Sequence, residues 1–439
     1  MARSTTSLPA LTERYDAARP HLPAPQLGWL SALRDKGLAD LAATGLPGAR
    51  TEAWRFTNLN RLRRADPRPV ALAASAPEVP AQAGALAVDG YRAVLTGGAF
   101  RADLSDLAGL PKGVRIAGLA EVLSREPALV EPHLGRTIAT AKLPLAALNT
   151  AYLADGLVVL LDDGVHLDRP LHLISVGIGG ETMPMFHPRL LVVAGRDAQA
   201  TVVESHVGDG EAGYFANPVT EIALAEGAVL RHYKLQAEGA AAFHLATTEV
   251  GLADRAQYES AVLQTGGRLA RNELHVHLGG ERAECRLYGA YLARGEQHLD
   301  NTTFIDHAVR RCTSRELYKG VLDGTSRGVF QGKILVRRDA QQTDGHQLNR
   351  ALLLSRGAEI DSKPELEIYA DDVKCSHGAT AGELEEDALF YLRARGIDAA
   401  TARAMLVEAF LTEALEPMSD AALRAAFLAR VQDWLGEAA

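Results

Sequence analysis

The sequence has few cysteines, no excess of positive charge and no long hydrophobic run. Only three cysteines, Cys285, Cys312 and Cys375, occur in 439 residues. So few cannot form a disulfide framework, and their odd number predicts reduced thiols in a reducing compartment. The 46 Lys and Arg residues are outnumbered by 55 Asp and Glu residues. Because nucleic-acid binding needs concentrated positive charge, we expect no nucleic acid among the partners.

No segment resembles a signal peptide or a membrane span. Prolines interrupt the first 25 residues, and no apolar run reaches the length of a signal-peptide core or a transmembrane helix. We therefore expect a cytoplasmic protein with no membrane contact. With 47% hydrophobic and 23% charged residues, the composition is that of a folded globular protein. The length predicts two or three structural regions.

Three regions differ in their residue pattern. Residues 1–149 are rich in Ala, Leu and Pro, and a helix is predicted over residues 25–44. We interpret this region as a helical domain with a Pro- and Ala-rich linker near residues 65–90. Residues 150–380 carry short β-branched runs between Gly and Asp residues, which predicts a β domain. Residues 381–439 return to a helical pattern.

The C-terminal region contains helix boundaries and one apolar stripe. Gly396 is placed to end one helix, and Asp398 is placed to cap the next. A further helix, predicted from Ser419, aligns Leu423, Phe427, Val431 and Trp434 on one face. A face so apolar either packs inward or binds a partner, and inward packing is the commoner outcome.

An alanine that opens a strand-like run recurs through the β domain. It occurs at Ala198, Ala228, Ala256, Ala283 and Ala308, with successive spacings of 30, 28, 27 and 25 residues. Near-constant spacing without intervening helices is typical of stacked strand units. The predicted fold is mainly β: a right-handed parallel β-helix flanked by N-terminal and C-terminal α-helical domains.

Two short motifs resemble enzyme motifs but lie in the wrong context. The segment from Gly324 to Gly328, centred on Ser326, fits a hydrolase nucleophile elbow, which must join a strand to a helix. The residues that follow it predict a strand instead. The segment from Gly328 to Lys333 has its glycines too close for a phosphate-binding loop, and Ile334 replaces the Ser or Thr that would bind magnesium. We therefore expect this chain itself to bind no nucleotide.

Four histidines lie in the later part of the β domain, at His275, His277, His298 and His307. Histidines on stacked strands could form a metal site. Histidines scattered through such a fold more often hydrogen-bond to backbone or carboxylate neighbours. These four residues are therefore left without an assigned role.

The pair Cys375 and His377 is the strongest chemical signal. Residues two apart on a strand project from the same face, so an extended segment places both side chains within reach of one metal. Sulfur and imidazole nitrogen suit iron, zinc or copper, not calcium or magnesium. Two ligands cannot complete a tetrahedral site. The remaining ligands must come from elsewhere, and a partner subunit could supply them.

The surroundings of this pair resemble a known family. The stretch from Lys363 to Thr380 contains the Cys375-Ser376-His377 run, and further matching stretches lie at 318–324, 330–334, 347–354 and 389–397. The segment around Trp54 matches the family's N-terminal pattern. On these residues the chain resembles the SufB/SufD family, scaffold subunits of the SUF iron-sulfur cluster assembly system. The Cys-Ser-His run favours the SufD branch, because SufB members usually lack it.

The resemblance implies a non-catalytic scaffold with two protein partners. One is SufB, paired through the β-helices, with a homodimer allowed when SufB is absent. The other is the ATPase SufC, bound through the C-terminal helices. A transient iron-sulfur cluster would be shared with SufB, with His377 as a ligand and Cys375 beside it. ATP-driven closure of SufC would reshape the interface. The candidate SufC contacts are Phe390, Tyr391, Arg395 and Phe410.

Two other functions fit parts of the sequence. A parallel β-helix enzyme acting on polysaccharide would place acidic and basic residues along its strands, but such enzymes are generally secreted. A zinc or iron storage protein would use the scattered histidines. Stable stoichiometric metal in the isolated chain would favour storage, whereas its loss or absence would favour a half-site shared with a partner.

Overall fold

A computed structural model describes residues 8–48, 50–69, 84–180, 182–208 and 212–436, with side chains from residue 11 onward. The predicted linker near 65–90 falls largely on residues 70–83, outside the described residues. Within the described part of the chain the α-helices are α1 (Leu8–Ala18), α2 (Gly28–Thr44), α3 (Asn60–Ala65), α4 (Leu119–Arg125), α5 (Pro144–Ala151), α6 (Glu386–Ala394), α7 (Ala399–Leu415) and α8 (Ala421–Gly436).

The strands form two long sheets, here called sheet A and sheet B. Sheet A contains β1 (Arg68–Pro69), β4 (Val114–Gly118), β5 (Gly156–Leu161), β7 (Pro184–Phe186), β8 (Arg189–Ala194), β10 (Phe215–Ala216), β11 (Val219–Leu224), β13 (Phe243–Leu252), β15 (Leu269–Leu278), β17 (His298–His307), β19 (Arg327–Val336) and β21 (Glu359–Ile368). Sheet B contains β2 (Tyr91–Thr96), β3 (Ala99–Phe100), β6 (Leu171–Gly177), β9 (Gln199–Gly208), β12 (Val229–Ala237), β14 (Gln257–Gln264), β16 (Glu284–Ala293), β18 (Thr313–Leu322), β20 (Thr343–Leu353) and β22 (Val373–Gly382).

From β11 to β22 the chain alternates between the two sheets, so that each strand pairs in parallel with the strand two places later. The result is a β-solenoid of about seven turns. Side chains alternate between the interior and the outer face of each sheet, because successive residues of a strand point to opposite sides. The predicted parallel β-helix with helices at both ends is confirmed.

The alanine repeat marks the start of the sheet B strands, with one correction. Ala198, Ala228, Ala256 and Ala283 are buried, and each directly precedes a strand of sheet B. The next strand of this series, β18, is preceded by Cys312, whereas Ala308 follows the last residue of β17. The inclusion of Ala308 was therefore wrong. The period did not shorten at that point, because Glu284 pairs with Thr313 in the ladder.

The sheets begin before residue 150. Strand β2 pairs in parallel with β6, and β4 pairs antiparallel with β5. The N-terminal helices pack on the outer face of sheet A, where Leu11, Tyr15 and Trp54 share an apolar cluster with Phe243. The guanidinium of Arg271 lies 4.1 Å from the centre of the Trp54 ring, so the tryptophan segment anchors the N-terminal region to the solenoid.

The C-terminal helices pack on the outer face of sheet B. The stripe Leu423, Phe427, Val431 and Trp434 is buried. The Phe427 ring lies 6.3 Å from that of Tyr233 in β12. The inward packing expected for this stripe is confirmed. The helix begins at Ala421 and not at Ser419, because the Asp420 carboxylate accepts hydrogen bonds from the backbone N–H groups of residues 422 and 423.

The two ends of the solenoid differ. At the N-terminal end the short strands β3 and β4 run antiparallel to their neighbours. At the C-terminal end β21 and β22 are the last strands of sheets A and B within the described residues, and most of their side chains are exposed or half-buried. We call this C-terminal end, formed by β21 and β22, the open end. No helix in the described part of the chain is long and apolar enough to cross a membrane.

Candidate metal-ligand pair at the open end of the solenoid

Cys375 and His377 lie on β22, the last strand of sheet B. In the ladder Cys375 pairs with Gly345 and His377 pairs with Gln347. Cys375 is half-buried against the apolar interior of the solenoid, whereas His377 is exposed. The segment predicted to be extended, residues 369–377, is strand from Val373 onward, whereas residues 369–372 connect β21 to β22. Within β22 the alternation of side chains places sulfur and imidazole on the same face of the strand.

A small hollow lies behind Cys375 because residue 345 is glycine. A Cβ atom at Gly345 would lie 3.7 Å from Cys375 Sγ, 3.7 Å from His307 Nε2 and 3.3 Å from Ser314 Oγ. His307 Nε2 lies 2.9 Å from Ser314 Oγ. Burial lowers the pKa of His307 to about 4, so its imidazole is neutral. A neutral imidazole, a hydroxyl group and the Cys375 thiol therefore surround one point.

The Cys375 thiol is held in its protonated form. Burial raises the pKa of Cys375, and the backbone N–H of Gly345 only partly opposes this effect. A thiol must lose its proton to bind a metal. Binding of a metal by Cys375 would therefore release a proton. The His377 side chain is exposed to solvent.

Next to His377 in the ladder, Gln347 points into the solenoid and is buried. Its Nε2 donates a 2.8 Å hydrogen bond to Glu316 Oε2. Burial raises the pKa of Glu316 to about 7, so this carboxyl group is partly protonated at neutral pH. A titratable carboxyl group thus lies two ladder positions behind His377.

The other histidines do not join this pair in a metal site. His275 lies between the carboxylates of Glu249 and Glu273, and His277 Nδ1 lies 2.9 Å from Asp306 Oδ2. His298 Nε2 lies 3.1 Å from the Thr57 hydroxyl group. Among the described residues no group of three His, Cys, Asp or Glu side chains is arranged to hold a metal. The interpretation that these histidines bond to their neighbours fits this geometry.

A buried polar cluster inside the solenoid was missed by sequence reasoning. Glu204 lies 2.8 Å from His206 Nε2 and 2.6 Å from His232 Nε2, and His232 Nδ1 lies 2.9 Å from the Tyr258 hydroxyl group. Burial alone would raise the pKa of Glu204, but Lys234 and the two histidines hold it well below its usual range. Glu204 and His206 are two apart on one strand, whereas His232 and Tyr258 lie on the next two turns, so the ladder register is needed to bring them to this pair.

The four predicted tail residues have two different environments. Phe390 and Tyr391 on α6 are 75% and 57% exposed, and Arg395 donates a 2.9 Å hydrogen bond to the Tyr391 hydroxyl group. Phe410 on α7 is half-buried, with the Lys319 ammonium group 4.4 Å from the centre of its ring. Phe410 therefore packs on the solenoid, whereas Phe390, Tyr391 and Arg395 face outward.

The nucleophile-elbow motif forms a turn between β18 and β19. Ser326 is fully buried, and its hydroxyl group lies 3.3 Å from the carbonyl oxygen of Ala293, to which it donates. No helix follows the serine, and the segment from Gly328 to Lys333 lies within β19. The expectation that this motif is a turn is confirmed.

Two family models cover most of the sequence. The SufBD core domain, described as SUF system FeS cluster assembly, matches residues 177–410, and the SufBD protein N-terminal region matches residues 6–173. The chain belongs to the SufBD family. The core match contains both Cys375 and His377, so the pair lies within the family's core domain.

Individual SufBD proteins are similar over nearly their whole length. The iron-sulfur cluster assembly protein SufD of Escherichia coli is 33% identical over 402 residues, which cover 90% of each chain. A SufBD family protein of Synechocystis sp. is 33% identical over 400 residues, covering 89% of this chain and 88% of the relative. A SufBD family protein of Mycobacterium tuberculosis is 27% identical over 405 residues, covering 90% of each. The resemblance inferred from the motifs is confirmed.

Proposed function

We propose that this SufBD protein is a non-catalytic scaffold subunit of the SufD type, and that it pairs with SufB through the open end to build a nascent iron-sulfur cluster between them. The observation that carries this proposal is the position of Cys375 and His377 on the last strand of sheet B. A ligand pair at an exposed sheet edge is placed where a second protein can complete it.

The open end has the properties of a docking surface. A terminal strand offers unpaired N–H and C=O groups that another chain can match. Strands β21 and β22 each contain ten residues, so they offer long edges. Ile368, the last residue of β21, and Tyr369 after it are 40% and 64% exposed. Pro364 lies within β21, and proline is tolerated in a sheet chiefly at an edge strand. The same edges would serve a homodimer when SufB is absent.

The ligand pair Cys375 and His377 suits a transiently bound cluster better than a stored metal ion. Cys375 and His377 supply two ligands of the soft-to-borderline type that iron-sulfur chemistry uses. His307 lies near Cys375, but its Nε2 is engaged by Ser314. A partner must supply the remaining ligands, and a cluster held by two proteins can leave when they separate. The nascent cluster is thus a product shared with SufB.

The C-terminal helices offer a second docking surface. Helix α6 has no buried residue, and it presents Phe390 and Tyr391 to solvent. Exposed aromatic residues on a surface helix are typical of interface anchors. We propose that α6 binds SufC, with Arg395 holding Tyr391 in place. Helices α7 and α8 are fixed to sheet B, so movement of SufC would be transmitted to the solenoid.

The test of the cluster site is coexpression with SufB and SufC, followed by iron and sulfide analysis and absorbance of the purified complex. We expect His377→Ala to lower cluster content about tenfold while the complex still forms, and Cys375→Ala to have a smaller effect. Lys374→Ala is the matched control, because Lys374 lies on the same strand and points to the opposite face. Unchanged cluster content in His377→Ala would overturn the site assignment.

A variant of each docking surface serves as the control for the other surface. We expect Tyr369→Asp to reduce copurification of SufB and to leave SufC binding unchanged. Phe390→Asp should have the opposite effect. Loss of both partners in either variant, with intact circular dichroism, would contradict the assignment of separate surfaces. ATPase activity of the chain alone, retained in several preparations, would contradict the non-catalytic role.

A further inference from the structure

Three side chains on the outer face of sheet B form a hydrogen-bonded chain near the open end. Ser376 lies between Cys375 and His377 on β22, so its side chain points to the face opposite the ligand pair. His346 on β20 pairs directly with Ser376 in the ladder. Asp344 precedes His346 by two residues and shares its face. Neither the proposed cluster site nor the proposed surface on α6 uses these three side chains.

The distances join these residues in the order serine, histidine, aspartate. Ser376 Oγ lies 2.5 Å from His346 Nδ1, and His346 Nε2 lies 2.8 Å from Asp344 Oδ1. The Asp344 carboxylate is held in turn by Arg315, whose Nη2 donates to its Oδ2 at 2.8 Å. A nucleophile bonded to a base, with the base oriented by a third group, is the arrangement that activates serine for acyl transfer.

The aspartate determines which nitrogen of His346 carries the proton. The hydrogen bond from Arg315 is the main cause that lowers the pKa of Asp344 below its usual range. The carboxyl group is therefore ionised at neutral pH and can only accept hydrogen bonds, so the facing nitrogen, Nε2, is the donor. In the neutral imidazole Nδ1 is then the acceptor, and the Ser376 hydroxyl group donates to it. A base thus already faces the proton that the serine must lose in order to attack.

The serine can be reached from solvent. Ser376 is exposed, and the side chains of His346 and Asp344 are 41% and 34% exposed. An acyl donor therefore needs no opening of the solenoid to reach the hydroxyl group. Ser326, by contrast, is fully buried and donates to a backbone carbonyl oxygen. Accessibility and an adjacent base coincide at Ser376.

We propose that Ser376 is an acylation site, whose hydroxyl group accepts an acyl group from an activated carboxylic ester with His346 as the general base. Ser376 Oγ forms a bond to the carbonyl carbon, and its proton passes to His346 Nδ1. The bond from that carbon to the leaving oxygen breaks, the leaving group departs with the bonding electron pair, and His346 gives up the proton to it or to solvent. Asp344 and Arg315 are positioning residues, because they orient the imidazole. The product is one esterified serine per chain, a modification of the scaffold that goes beyond its proposed function.

Acetylation of the full-length chain by p-nitrophenyl acetate tests this proposal. Peptide mass spectrometry measures the rate of acetylation at each serine in one sample, and Ser124 is the internal reference. Ser124 is also exposed, and its helix α4 contains no histidine. We expect Ser376 to react about 100-fold faster than Ser124, the lower end of the range for a general base. Equal rates would show that the contacts only hold β22 to β20, and would overturn the proposal.

Two variants separate base catalysis from a structural role of the contacts. His346→Gln keeps a hydrogen-bond acceptor but cannot take up the proton, so acetylation of Ser376 should fall to the rate of Ser124. Asp344→Asn removes the charge that selects the tautomer and should slow acetylation of Ser376 about tenfold. Thr380→Ala, on the same face of β22, is the matched control and should leave the rate unchanged. An unchanged rate at Ser376 in either of the first two variants, with intact circular dichroism, would contradict the proposal.

Discussion

The three cysteines differ in accessibility. Cys285 and Cys312 are fully buried, whereas Cys375 is half-buried at the open end. We expect iodoacetamide to label one thiol in the folded protein and three after denaturation, as counted by mass spectrometry. Because burial raises the pKa of Cys375, the labelling rate should keep rising beyond pH ~8.5, the ordinary pKa of a cysteine. Cys375→Ser should leave no reactive thiol in the folded state.

Gly345 keeps the hollow behind Cys375 open. A valine there would crowd Ser314 Oγ, already 3.3 Å from the first added carbon, and also Cys375 Sγ. We expect Gly345→Val to lower the free energy of unfolding by about 1–3 kcal/mol, as overpacking does, in urea denaturation. The matched control is Gly382→Val at the end of the neighbouring strand, where nothing lies within 4 Å of an added Cβ. An equal loss in both variants would show that crowding is not the cause.

At the scale of elements, helix α8 fixes the C-terminal region to sheet B. Phe427 is fully buried against the strands. We expect Phe427→Ala to lower the free energy of unfolding by about 3–5 kcal/mol, the usual loss for a buried phenylalanine. Phe390→Ala, at a position 75% exposed, should change it by less than about 0.5 kcal/mol. A small effect of Phe427→Ala in urea denaturation would mean that α8 is only loosely attached.

At the scale of the whole molecule, buried titratable groups link stability to pH. Burial lowers the pKa values of His172, His298 and His307 to about 4 and that of His187 to about 3. Below pH 6.5 the unfolded chain protonates these histidines and the folded chain does not. Their contribution to stability is therefore intact above about pH 6.5 and is lost as the pH falls towards 4.

Two carboxyl groups act in the opposite direction. Burial raises the pKa values of Glu249 and Glu316 to about 7. Between pH 4.5 and 7 the unfolded chain ionises these groups first, so their contribution falls as the pH rises. The four histidines change the pH dependence of stability more than the two carboxyl groups do. Near pH 5.5 these six groups give a net uptake of about two protons on unfolding, so their combined contribution to stability should fall by about 2.5 kcal/mol per pH unit of acidification.

Urea denaturation between pH 4.5 and 6.5 measures how the free energy of unfolding changes with pH. Two variants test which residues cause this pH dependence. His307→Gln should make the slope shallower by about one proton, and Glu316→Gln should make it steeper by about one proton. Both replacements remove a titrating group from the interior. If both variants changed the slope in the same direction, the assignment of the two effects to these residues would be wrong.

Local chemistry and repeat spacing made much of the fold predictable. The alanine spacing identified the start of four sheet B strands, and it failed at Ala308 because the same small residue occurs at a turn one strand earlier. The tail stripe of Phe427 and its neighbours was predicted to pack inward because period-3.6 apolar patterns demand burial. The early strands β2 and β4 were missed, since they are short and lie in an alanine-rich region.

The sequence by itself determined the family, the solenoid and the shared face of Cys375 and His377, because each depends on residues near one another in the chain. Only the tertiary structure decided what lies around them. The hollow formed by Gly345, Ser314 and His307, and the hydrogen-bonded chain at Ser376, join residues from different turns. Their contacts depend on the register between strands about thirty residues apart in this ladder. Local sequence patterns do not determine that register, because it is fixed by the packing of the whole solenoid.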